Sequence, residues 1–332
     1  MKKIYVMCPA FYKTGGTELL HQFVWVLNQK GYDADIAYYE KKDEYLNPAF
    51  KQYISKYVLF EDVKNDDAYF VIPEVNTAVL KILNPKQCFI WWESVNNYKQ
   101  TLFQDVKFNG LLRGVYHLIY RILKKRPANF KLLKKAKGHF VQSYYAKDYL
   151  QKHNISDNVY FLKDYINDLY IEKESIVPLE KKENIVLYNP AKGKKTTAKI
   201  IKKNSDLKFI PLINMTNIQV QEMLTKAKVY IDFGSHPGMD RFPREAALMH
   251  CCVITNKCGS AKFYEDVPIE DKYKFNDSQL NFKKLRETIN NCFENYIECD
   301  KDFNHYREFI KSQPDEFITD SVNAYKIIEK ED

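Results

Sequence analysis

The sequence predicts an α/β protein built from two parallel-sheet domains in tandem, followed by a helical tail. Three observations support this class. The chain has 332 residues, about twice a common domain length. Short apolar segments typical of buried strands alternate with amphipathic helical segments, which indicates parallel sheets covered on both faces. A polar passage at residues 167–184 interrupts this alternation and divides it into two series.

The first series fills the N-terminal half. A strand at 4–8 is followed by a loop through Gly15 and Gly16, a helix with one apolar face, and a strand near 35–39. Gly31 stands where a helix commonly ends. Further strands are predicted at 69–72, 87–92 and 139–142.

The second series begins after the polar passage, which we interpret as a linker. Its predicted strands lie at 184–188, 208–212, 229–233 and 252–255, and its predicted helices at 196–203, 218–226 and 243–250. Beyond Ser278 the pattern is helical. We therefore expect domains at 1–170 and 171–305, and a helical tail at 306–332 that packs back on the N-terminal domain. Because ligands collect beyond the carboxyl ends of parallel strands, binding residues are expected on the loops that follow them.

Composition excludes several classes of protein. Hydrophobic residues make up 45% of the chain and aromatic residues 15%, which is enough for two cores and argues against disorder. No segment approaches the roughly 20 apolar residues of a membrane span. Pro9 and Lys13 interrupt the N-terminal apolar segment, so we do not expect a signal peptide. Seven cysteines without a C-x-x-C pair indicate buried free thiols rather than a zinc site. These observations predict a cytoplasmic protein.

The net charge of +8 is concentrated in one segment. Residues 107–137 contain ten of the 51 basic residues and no acidic ones, which leaves 41 basic against 43 acidic residues elsewhere. Apolar residues at 111–122 share one helical face, and this pattern is typical of a basic helix that binds an anionic membrane surface. A core helix with a solvated charged face is the alternative. Nucleic-acid binding is not expected, because the segment lacks an aromatic-interleaved platform or a reading helix.

A glycine pair follows the first predicted strand, in "KTGGTELLHQ" at 13–22. Gly15 and Gly16 allow the backbone to approach a ligand closely, and Thr17 is expected to cap the following helix. The segment is either a loop that contacts a phosphate or sugar, or a tight turn between strand and helix. It is not a complete G-x-G-x-x-G motif, and no P-loop occurs, so dinucleotide oxidoreductases and P-loop NTPases lose their main support.

Lysines cluster after the first strand of the second domain, in "YNPAKGKKTTAKII" at 188–201. Lys192, Lys194 and Lys195 lie between a strand end and a helix N-terminus. Side-chain charge and free backbone N–H groups in that position are suited to a diphosphate. The alternative is a cluster of solvated lysines.

Charged residues also crowd the start of a helix in "VYIDFGSHPGMDRFPREAALMHCCVIT" at 229–255. Asp240 is expected to cap this helix, and Arg241 to bind an anion through its forked guanidinium. Glu245, one turn further, is suited to hold two hydroxyl groups of a ribose or sugar. A surface salt-bridge network is the alternative.

The order of these motifs resembles the GT-B glycosyltransferases, especially the retaining group that includes family 4. The resemblance rests on "GGTE", on "KG", and on a G-x-x-P-G loop that leads to "REAAL" and "CCVIT". The segments "WWESVNNY" and "GHFVQSYYAKDYL" resemble bacterial polysaccharide glycosyltransferases. Pro237 stands where the family has the first Glu of its E-x7-E motif, and Val186 where it usually has Arg. The candidates to take over the sugar contact of the missing Glu are His236 and Asp240. The candidates to replace the missing Arg are Arg241 and Arg244.

The resemblance implies two Rossmann-like domains facing across a cleft. It also implies a metal-independent, retaining transfer of a sugar, of the hexosyltransferase type, from a nucleotide-sugar donor to a glycan or lipid-linked acceptor. The expected setting is bacterial capsule or lipopolysaccharide biosynthesis at the inner face of the cell membrane. No D-x-D metal motif stands at a strand end. A nucleotide-sugar epimerase and a non-catalytic carbohydrate- or membrane-binding protein of the same fold remain the alternatives.

The residues assigned to the site follow from the resemblance and the motifs together. Lys192, Arg241 and Glu245 are the catalytic candidates on the donor side. A base, if the acceptor requires one, is expected from the first domain, with Glu93 or His21 the candidates. The tryptophans beside Glu93 either stack on a sugar or pack in the core. The predicted donor-binding residues are Gly15, Gly16, Thr17, Asn189, Gly193, Met215, Thr216, Gly234, His236, Gly238, Asp240, Arg244, Gly259 and Ser260.

Overall fold

A computed structural model describes residues 2–10, 13–39, 46–98, 115, 127–166 and 168–330. The chain forms two compact units, Met1–Asp164 with Glu316–Asp332, and Tyr165–Asp315. Each unit contains one sheet whose described strands are all parallel, with helices between successive strands. This architecture confirms the predicted α/β class.

The first unit contains a seven-stranded sheet. Its strands are β1 (Ile4–Pro9), β2 (Ala34–Tyr39), β3 (Val58–Leu59), β4 (Tyr69–Pro73), β5 (Cys88–Trp92), β6 (Gly138–Val141) and β7 (Val159–Phe161). Its described helices before the C-terminal one are α1 (Gly15–Gln29), α2 (Phe60–Val63), α3 (Val95–Tyr98), α4 (Phe130–Leu133) and α5 (Tyr144–Gln151). The strand order is β3-β2-β1-β4-β5-β6-β7. Because the order reverses between β1 and β4, the carboxyl ends of these strands border the crevice where such sheets bind ligands.

The first unit's core strands are buried along nearly their whole length. In β4 and β5 every residue is buried, as expected for central parallel strands covered on both faces. Helix α1 begins at Gly15, so the paired glycines lie in its first turn rather than in a loop. Thr14 caps α1, and the prediction that Thr17 is the cap is wrong. The two threonines form a reciprocal capping box, in which each side chain bonds the other's backbone N–H.

The second unit contains a five-stranded sheet. Its strands are β8 (Glu183–Tyr188), β9 (Lys208–Pro211), β10 (Ala227–Asp232), β11 (Cys252–Asn256) and β12 (Lys274–Phe275). Its helices are α6 (Asp168–Glu174), α7 (Lys194–Lys203), α8 (Asn217–Lys226), α9 (Arg241–Leu248), α10 (Phe282–Glu294) and α11 (Tyr296–Lys301). The strand order is β12-β11-β10-β8-β9, so the reversal lies between β8 and β10. The loops after these two strands therefore border the second unit's crevice.

A long C-terminal helix, α12 (Asn304–Glu329), contributes to both units. In the second unit its first turns bury Tyr306 and Ile310 in the core. In the first unit its last turns place Tyr325 on Tyr32, with ring centroids 3.6 Å apart. Pro314 lies inside the helix, next to the boundary between the units.

The polar passage at 167–184 is more ordered than the linker prediction implied. It contains α6, and Tyr170 and Val177 are buried in the core of the second unit. That prediction is wrong because a few large apolar side chains anchor a segment whose average composition is polar. The sequence also missed β3, β7 and β12, which have two or three residues each and lie at sheet edges. Such strands are too short to display a period-two pattern.

The predicted membrane-binding segment lies largely outside the described residues, which omit 107–114 and 116–126. Within its described part, Lys131, Lys134 and Lys135 are exposed. No helix in the described ranges is both long and apolar enough to cross a membrane. Six of the seven cysteines are buried free thiols, as predicted, and Cys258 is exposed.

One buried lysine connects three elements of the second unit. Lys182, just before β8, is 7% exposed. Its ammonium group donates to the main-chain oxygens of Leu224 and Ala227, both at 2.9 Å, and to that of Met249. These carbonyls lie at the C-terminal ends of α8 and α9, where helix dipoles favour a positive charge. Burial lowers the pKa of Lys182, and nearby cysteine and aspartate groups oppose that shift.

We predict that Lys182→Met lowers the free energy of unfolding by at least about 2 kcal/mol. The buried carbonyls lose their hydrogen-bond donor, while methionine keeps a side chain of similar volume. Urea unfolding of the second unit measures this change. The neighbouring Lys181 is exposed, so Lys181→Met is the matched control and should change stability by less than about 0.5 kcal/mol. Equal stability of the two variants would contradict the bracing role of Lys182.

Candidate functional site

The loop after β8 contains the lysine motif and packs against the end of β10. Asn189 shapes the turn: its side chain accepts from the N–H of Ala191 at 3.0 Å, and its carbonyl from that of Lys192 at 3.3 Å. Gly193 has φ +56°, and a Cβ there would lie 2.1 Å from the carbonyl oxygen of Phe233. Only glycine therefore fits between the two loops.

The loop after β10 is fixed from both sides. The N–H of Gly234 donates to Asp232 at 2.9 Å, and its carbonyl accepts from the side chain of Asn256 at 2.8 Å. A Cβ on Gly234 would lie 3.0 Å from the Cβ of Lys192. His236 adopts φ +41°, a left-handed conformation that is uncommon for a side-chain-bearing residue. The loop therefore holds His236 in a backbone conformation that histidine does not favour by itself.

A third loop, after β11, closes on the same backbone. Gly259 has φ +54°, and a Cβ there would lie 1.9 Å from the carbonyl oxygen of His236. The N–H of Ser260 donates to that oxygen at 2.9 Å, and its hydroxyl donates to Gly238 at 2.7 Å. We call residues 189–193, 233–240 and 258–260 the loop cluster. It contains eight of the predicted donor-binding residues, Asn189, Gly193, Gly234, His236, Gly238, Asp240, Gly259 and Ser260, together with Lys192.

A chain of alternating charges runs through the loop cluster. The Nζ of Lys192 lies 2.6 Å from Asp240 Oδ1, and Asp240 Oδ2 lies 3.0 Å from His236 Nδ1. The other ring nitrogen of His236 lies 3.2 Å from the main-chain oxygen of Asp232, whose carboxylate is 3.7 Å away. His236 is 1% exposed, whereas Lys192 is 33% exposed. Lys192 is therefore the most exposed member of this ion-pair chain.

The ion-pair chain sets the protonation of its members. Burial lowers the pKa of His236, but pairing with Asp240 and the charge of Asp232 outweigh it, so the pKa is raised. Burial raises the pKa of Asp240, but His236 and Lys192 outweigh it, so the pKa is lowered. A protonated His236 beside an ionised Asp240 is the state that these shifts favour.

Asp232, His236 and Asp240 also have the residue types of a metal site. One ligand atom from each lies within 4.8 Å of the others. However, Lys192 already pairs with Asp240, and the two nitrogens of His236 face different carboxylates. A divalent cation would have to displace the ammonium group of Lys192 from Asp240. The geometry therefore fits an ion-pair chain better than a metal centre.

The charged residues at the start of α9, the helix after the loop cluster, differ in their burial and in their partners. Asp240 occupies the N-cap position, but its side chain makes no capping hydrogen bond, because the carboxylate pairs with Lys192 and His236. The prediction of a side-chain cap is wrong in that respect. Arg244 is 1% exposed and donates to the carbonyl oxygens of Met239 at 2.7 Å and Asp240 at 3.3 Å. It therefore braces the loop cluster from inside, while Arg241, at the helix start, is half-buried.

Glu245 is half-buried on α9 and accepts a hydrogen bond from the hydroxyl of Tyr170 on α6. Burial raises the pKa of Glu245, and the charges of Arg241 and Arg244 oppose that shift. The other two predicted donor-binding residues of the second unit follow β9. Thr216 caps α8 in a capping box with Gln219, and Met215 is half-buried against the core.

The remaining predicted site residues lie in the first unit. Glu93 follows β5, and a Cβ on Gly16 would lie 2.2 Å from its Oε2 atom. His21, the other base candidate, is fully buried. Its ring nitrogens lie 2.6 Å from the Thr17 carbonyl and 2.7 Å from the Tyr38 hydroxyl, and burial lowers its pKa to about 4. His21 is therefore a core residue.

Both tryptophans beside Glu93 are fully buried, which confirms core packing over sugar stacking. The indole N–H of Trp91 donates to the carbonyl of Leu162 at 3.1 Å, and that of Trp92 to His139 at 3.1 Å. Both rings are therefore core residues of the first unit.

Two acidic residues at the candidate sites were missed in the sequence. Asp232 lies four residues before His236, which lies four before Asp240, and this regular spacing is visible without a structure. Glu74 follows β4 directly, as Glu93 follows β5. Comparing the residue after each predicted parallel strand would have found it, because the carboxyl ends of such strands share one edge.

No family model and no curated protein matches this chain. Solved structures match over nearly all of it. A sucrose-phosphate synthase from Thermosynechococcus elongatus aligns with a TM-score of 0.63 at 11% identity, covering 98% of both chains. Anabaena Alr3699/HepE, in complex with UDP-glucose, gives 0.57 at 10% identity, covering 98% of this chain and 100% of that one. A glycosyltransferase from Rickettsia africae ESF-5 gives 0.56 at 13% identity over the full length of both. These similarities show that the chain has the GT-B fold.

We predict that Gly259→Ala destabilises the second unit by at least about 2 kcal/mol more than Gly31→Ala destabilises the first. Both glycines have positive φ, so each substitution carries the cost of a left-handed alanine, about 1–2 kcal/mol. Nothing lies within 4 Å of a Cβ on Gly31, whereas at Gly259 it would overlap a carbonyl oxygen. Thermal and urea unfolding measure the two changes. Equal losses would show that the loop cluster accommodates a side chain.

Proposed function

We propose that this protein is a glycosyltransferase that moves a sugar from a nucleoside-diphosphate sugar to a hydroxyl group of a glycan or lipid-linked acceptor. The observation that carries the proposal is the position of Lys192, a partly exposed ammonium group held where the loops after β8 and β10 converge. This is the point of strand-order reversal, where parallel sheets of this kind bind phosphate-bearing ligands. The structural similarity to HepE, whose solved complex contains UDP-glucose, agrees with a donor of this class.

The ion-pair chain gives Lys192 a way to act on a diphosphate. When a glycosidic bond to a nucleoside diphosphate breaks, negative charge develops on the leaving group, and a nearby cation stabilises it. We infer that Lys192 turns from Asp240 to this leaving group. Asp240 keeps His236 as its partner after that movement, so no buried carboxylate is left without a positive neighbour.

Two further cationic elements are assigned to the same leaving group. Arg241 stands at the start of α9, and the first backbone N–H groups of α7 follow Gly193. Both helix N-termini carry partial positive charge. Because these groups supply the required charge, we propose that the transfer is independent of a divalent metal.

The finer features of the proposal come from the sequence. Glu245 is assigned to hydroxyl groups of the donor, and would exchange its bond with Tyr170 for one with the ligand. Retention of configuration and a role in bacterial surface-polysaccharide biosynthesis follow from the family 4 resemblance. Contact with an anionic membrane is assigned to the basic segment 107–137, which includes the exposed Lys131, Lys134 and Lys135.

We predict that one nucleoside diphosphate raises the unfolding midpoint of the protein, and that EDTA leaves this shift unchanged. UDP, GDP, CDP, CMP and dTDP at millimolar concentration form the panel, and binding stabilises by mass action. An EDTA-sensitive shift would contradict metal independence and assign a cation to Asp232, His236 and Asp240. No shift with any nucleotide would contradict the proposed function and favour a non-catalytic carbohydrate- or membrane-binding protein.

We predict that Lys192→Ala weakens binding of the selected nucleotide by at least tenfold. A hydrogen bond to a charged group contributes about 1.5–3 kcal/mol, which corresponds to roughly 10- to 150-fold in affinity. Isothermal titration calorimetry measures the change. Lys199→Ala is the control, because Lys199 is an exposed lysine on α7 outside the loop cluster. If both variants bind as the unmodified protein does, Lys192 does not contact the diphosphate.

A further inference from the structure

Two glutamates lie side by side at the carboxyl edge of the seven-stranded sheet, outside the candidate donor site. Glu74 follows β4 and Glu93 follows β5, next to the reversal of strand order. Glu74 is 1% exposed, and its Oε2 accepts from the N–H of Glu93 at 3.0 Å. The backbone of Ser94 and the side chain of Asn97 also donate to this carboxylate. Glu74 is thus fixed at the start of α3.

The carboxyl group of Glu93 is held differently. Its Oε2 lies against Gly16, in space that any side chain at that position would fill. Its Oε1 is buried and has no hydrogen-bond partner among the residues that the structure describes, and the hydroxyl of Ser94 shares this state. A buried polar atom without a partner costs about 1–3 kcal/mol, so it is rarely left in that state without a role.

We propose that Glu74 and Glu93 form a subsite for an uncharged hydroxyl group of the acceptor, in which Glu93 contacts the hydroxyl and Glu74 positions Glu93. The proposal rests on the proposed function, because it supplies the acceptor side of a sugar transfer. It is carried by the unpartnered Oε1 atom, by the glycine that makes room for the carboxyl group, and by the fixed neighbouring carboxylate.

The electrostatics of the pair define the chemistry of its ligand. The ionisable groups that act on Glu93 are Glu74, Asp164 and the thiol of Cys8. Burial first, and then the charges of Glu74 and Asp164, raise the pKa of Glu93 well above its ordinary value. Burial raises the pKa of Glu74 to about 7, and hydrogen bonds from the backbone of Glu93 and Ser94 oppose the shift.

Because Glu74 accepts several hydrogen bonds and Glu93 Oε1 accepts none among the described residues, a proton on the pair is favoured on Glu93 and the negative charge on Glu74. A neutral carboxyl group both donates and accepts, which suits a sugar hydroxyl, whereas an anionic group would be repelled by Glu74. A protonated Glu93 does not accept a proton, so in this state it binds the acceptor rather than deprotonating it. This proposed role differs from the base role expected from the sequence.

The test measures binding of neutral and anionic sugars by saturation-transfer NMR and titration. The probes are methyl α-glucoside, methyl α-galactoside and glucuronic acid, with the full-length protein and its variants. We expect millimolar binding of a neutral glycoside and at least tenfold weaker binding of glucuronic acid. Glu93→Ala should weaken glycoside binding at least tenfold, whereas Glu93→Gln, which still donates and accepts, should remain within about threefold. Glu61→Gln, an exposed position in the same unit, is the control.

Three results would overturn the proposal. They are no neutral glycoside bound by the unmodified protein, equal binding by Glu93→Ala, and a loss of more than tenfold in Glu93→Gln, which would require an ionised carboxylate. Nucleotide binding is measured on the same samples. None of these substitutions lies in the loop cluster, so they should leave the nucleotide-induced shift unchanged. A missing shift would then contradict the proposed donor function separately from the acceptor subsite.

A stability measurement tests the neutral state of Glu93 independently of any ligand. Since the folded pKa is raised above the ordinary 4.5, the unfolded chain releases its proton first as pH rises. The unmodified protein therefore loses stability as pH rises from about 4.5 through the folded pKa, and Glu93→Gln lacks this loss. We expect the urea midpoint of Glu93→Gln to rise relative to that of the unmodified protein as the pH is raised from 5 to 9. A constant difference would show that Glu93 is ionised throughout.

Discussion

The close approach of three backbone segments in the second unit is the constraint on which the candidate donor site depends. Gly193 fits against the carbonyl of Phe233, and Gly259 against that of His236. With no side chain between these loops, the backbone fixes where Lys192 and Asp240 begin. The 2.6 Å ion pair between them follows from that arrangement. Electrostatics at this site is thus a consequence of steric fit, in agreement with the view that preorganised dipoles and charges need rigid support.

The charged side chains at the carboxyl ends of the strands have different partners in the two units. In the loop cluster of the second unit the charges alternate, from Lys192 through Asp240 to His236. In the first unit two acids lie together, and among the described residues Glu74 accepts hydrogen bonds whereas Glu93 Oε1 accepts none. Paired charges suit an anionic ligand that exchanges with an internal partner. A neutral carboxyl group suits a ligand without charge.

Much of the fold could be predicted from the sequence because buried parallel strands are continuous apolar segments. β1, β4, β5 and β10 were found within one or two residues for this reason. The short edge strands β3, β7 and β12 were not, since two or three residues carry no pattern. The polar passage was misread because the burial of Tyr170 depends on contacts with α9 that composition does not reveal. The loops of the candidate site were found because glycines and charges follow strand ends.

Side-chain roles were harder to predict than positions. Arg244 and Arg241 read alike in sequence, yet the helix turns Arg244 inward, where its partners are loop carbonyls and Gln313, 69 residues away. Asp240 reads as a cap, but nearby cations compete successfully for its carboxylate. Such outcomes depend on which groups tertiary structure brings together, and a single sequence contains little information about that.

Gly16 in the first unit differs from Gly193 and Gly259 in the second in the kind of atom that would crowd an added Cβ. This difference decides how a substitution at each position can be tolerated during evolution. At Gly193 and Gly259 the crowding atoms belong to the main chain, so no second substitution elsewhere makes room for a Cβ. At Gly16 the crowding atoms belong to the side chain of Glu93, and a shorter residue at position 93 would relieve the overlap. Intragenic suppressors should therefore exist for Gly16 and be absent for the other two. Among related sequences, positions 16 and 93 should covary, while 193 and 259 change only with their loops.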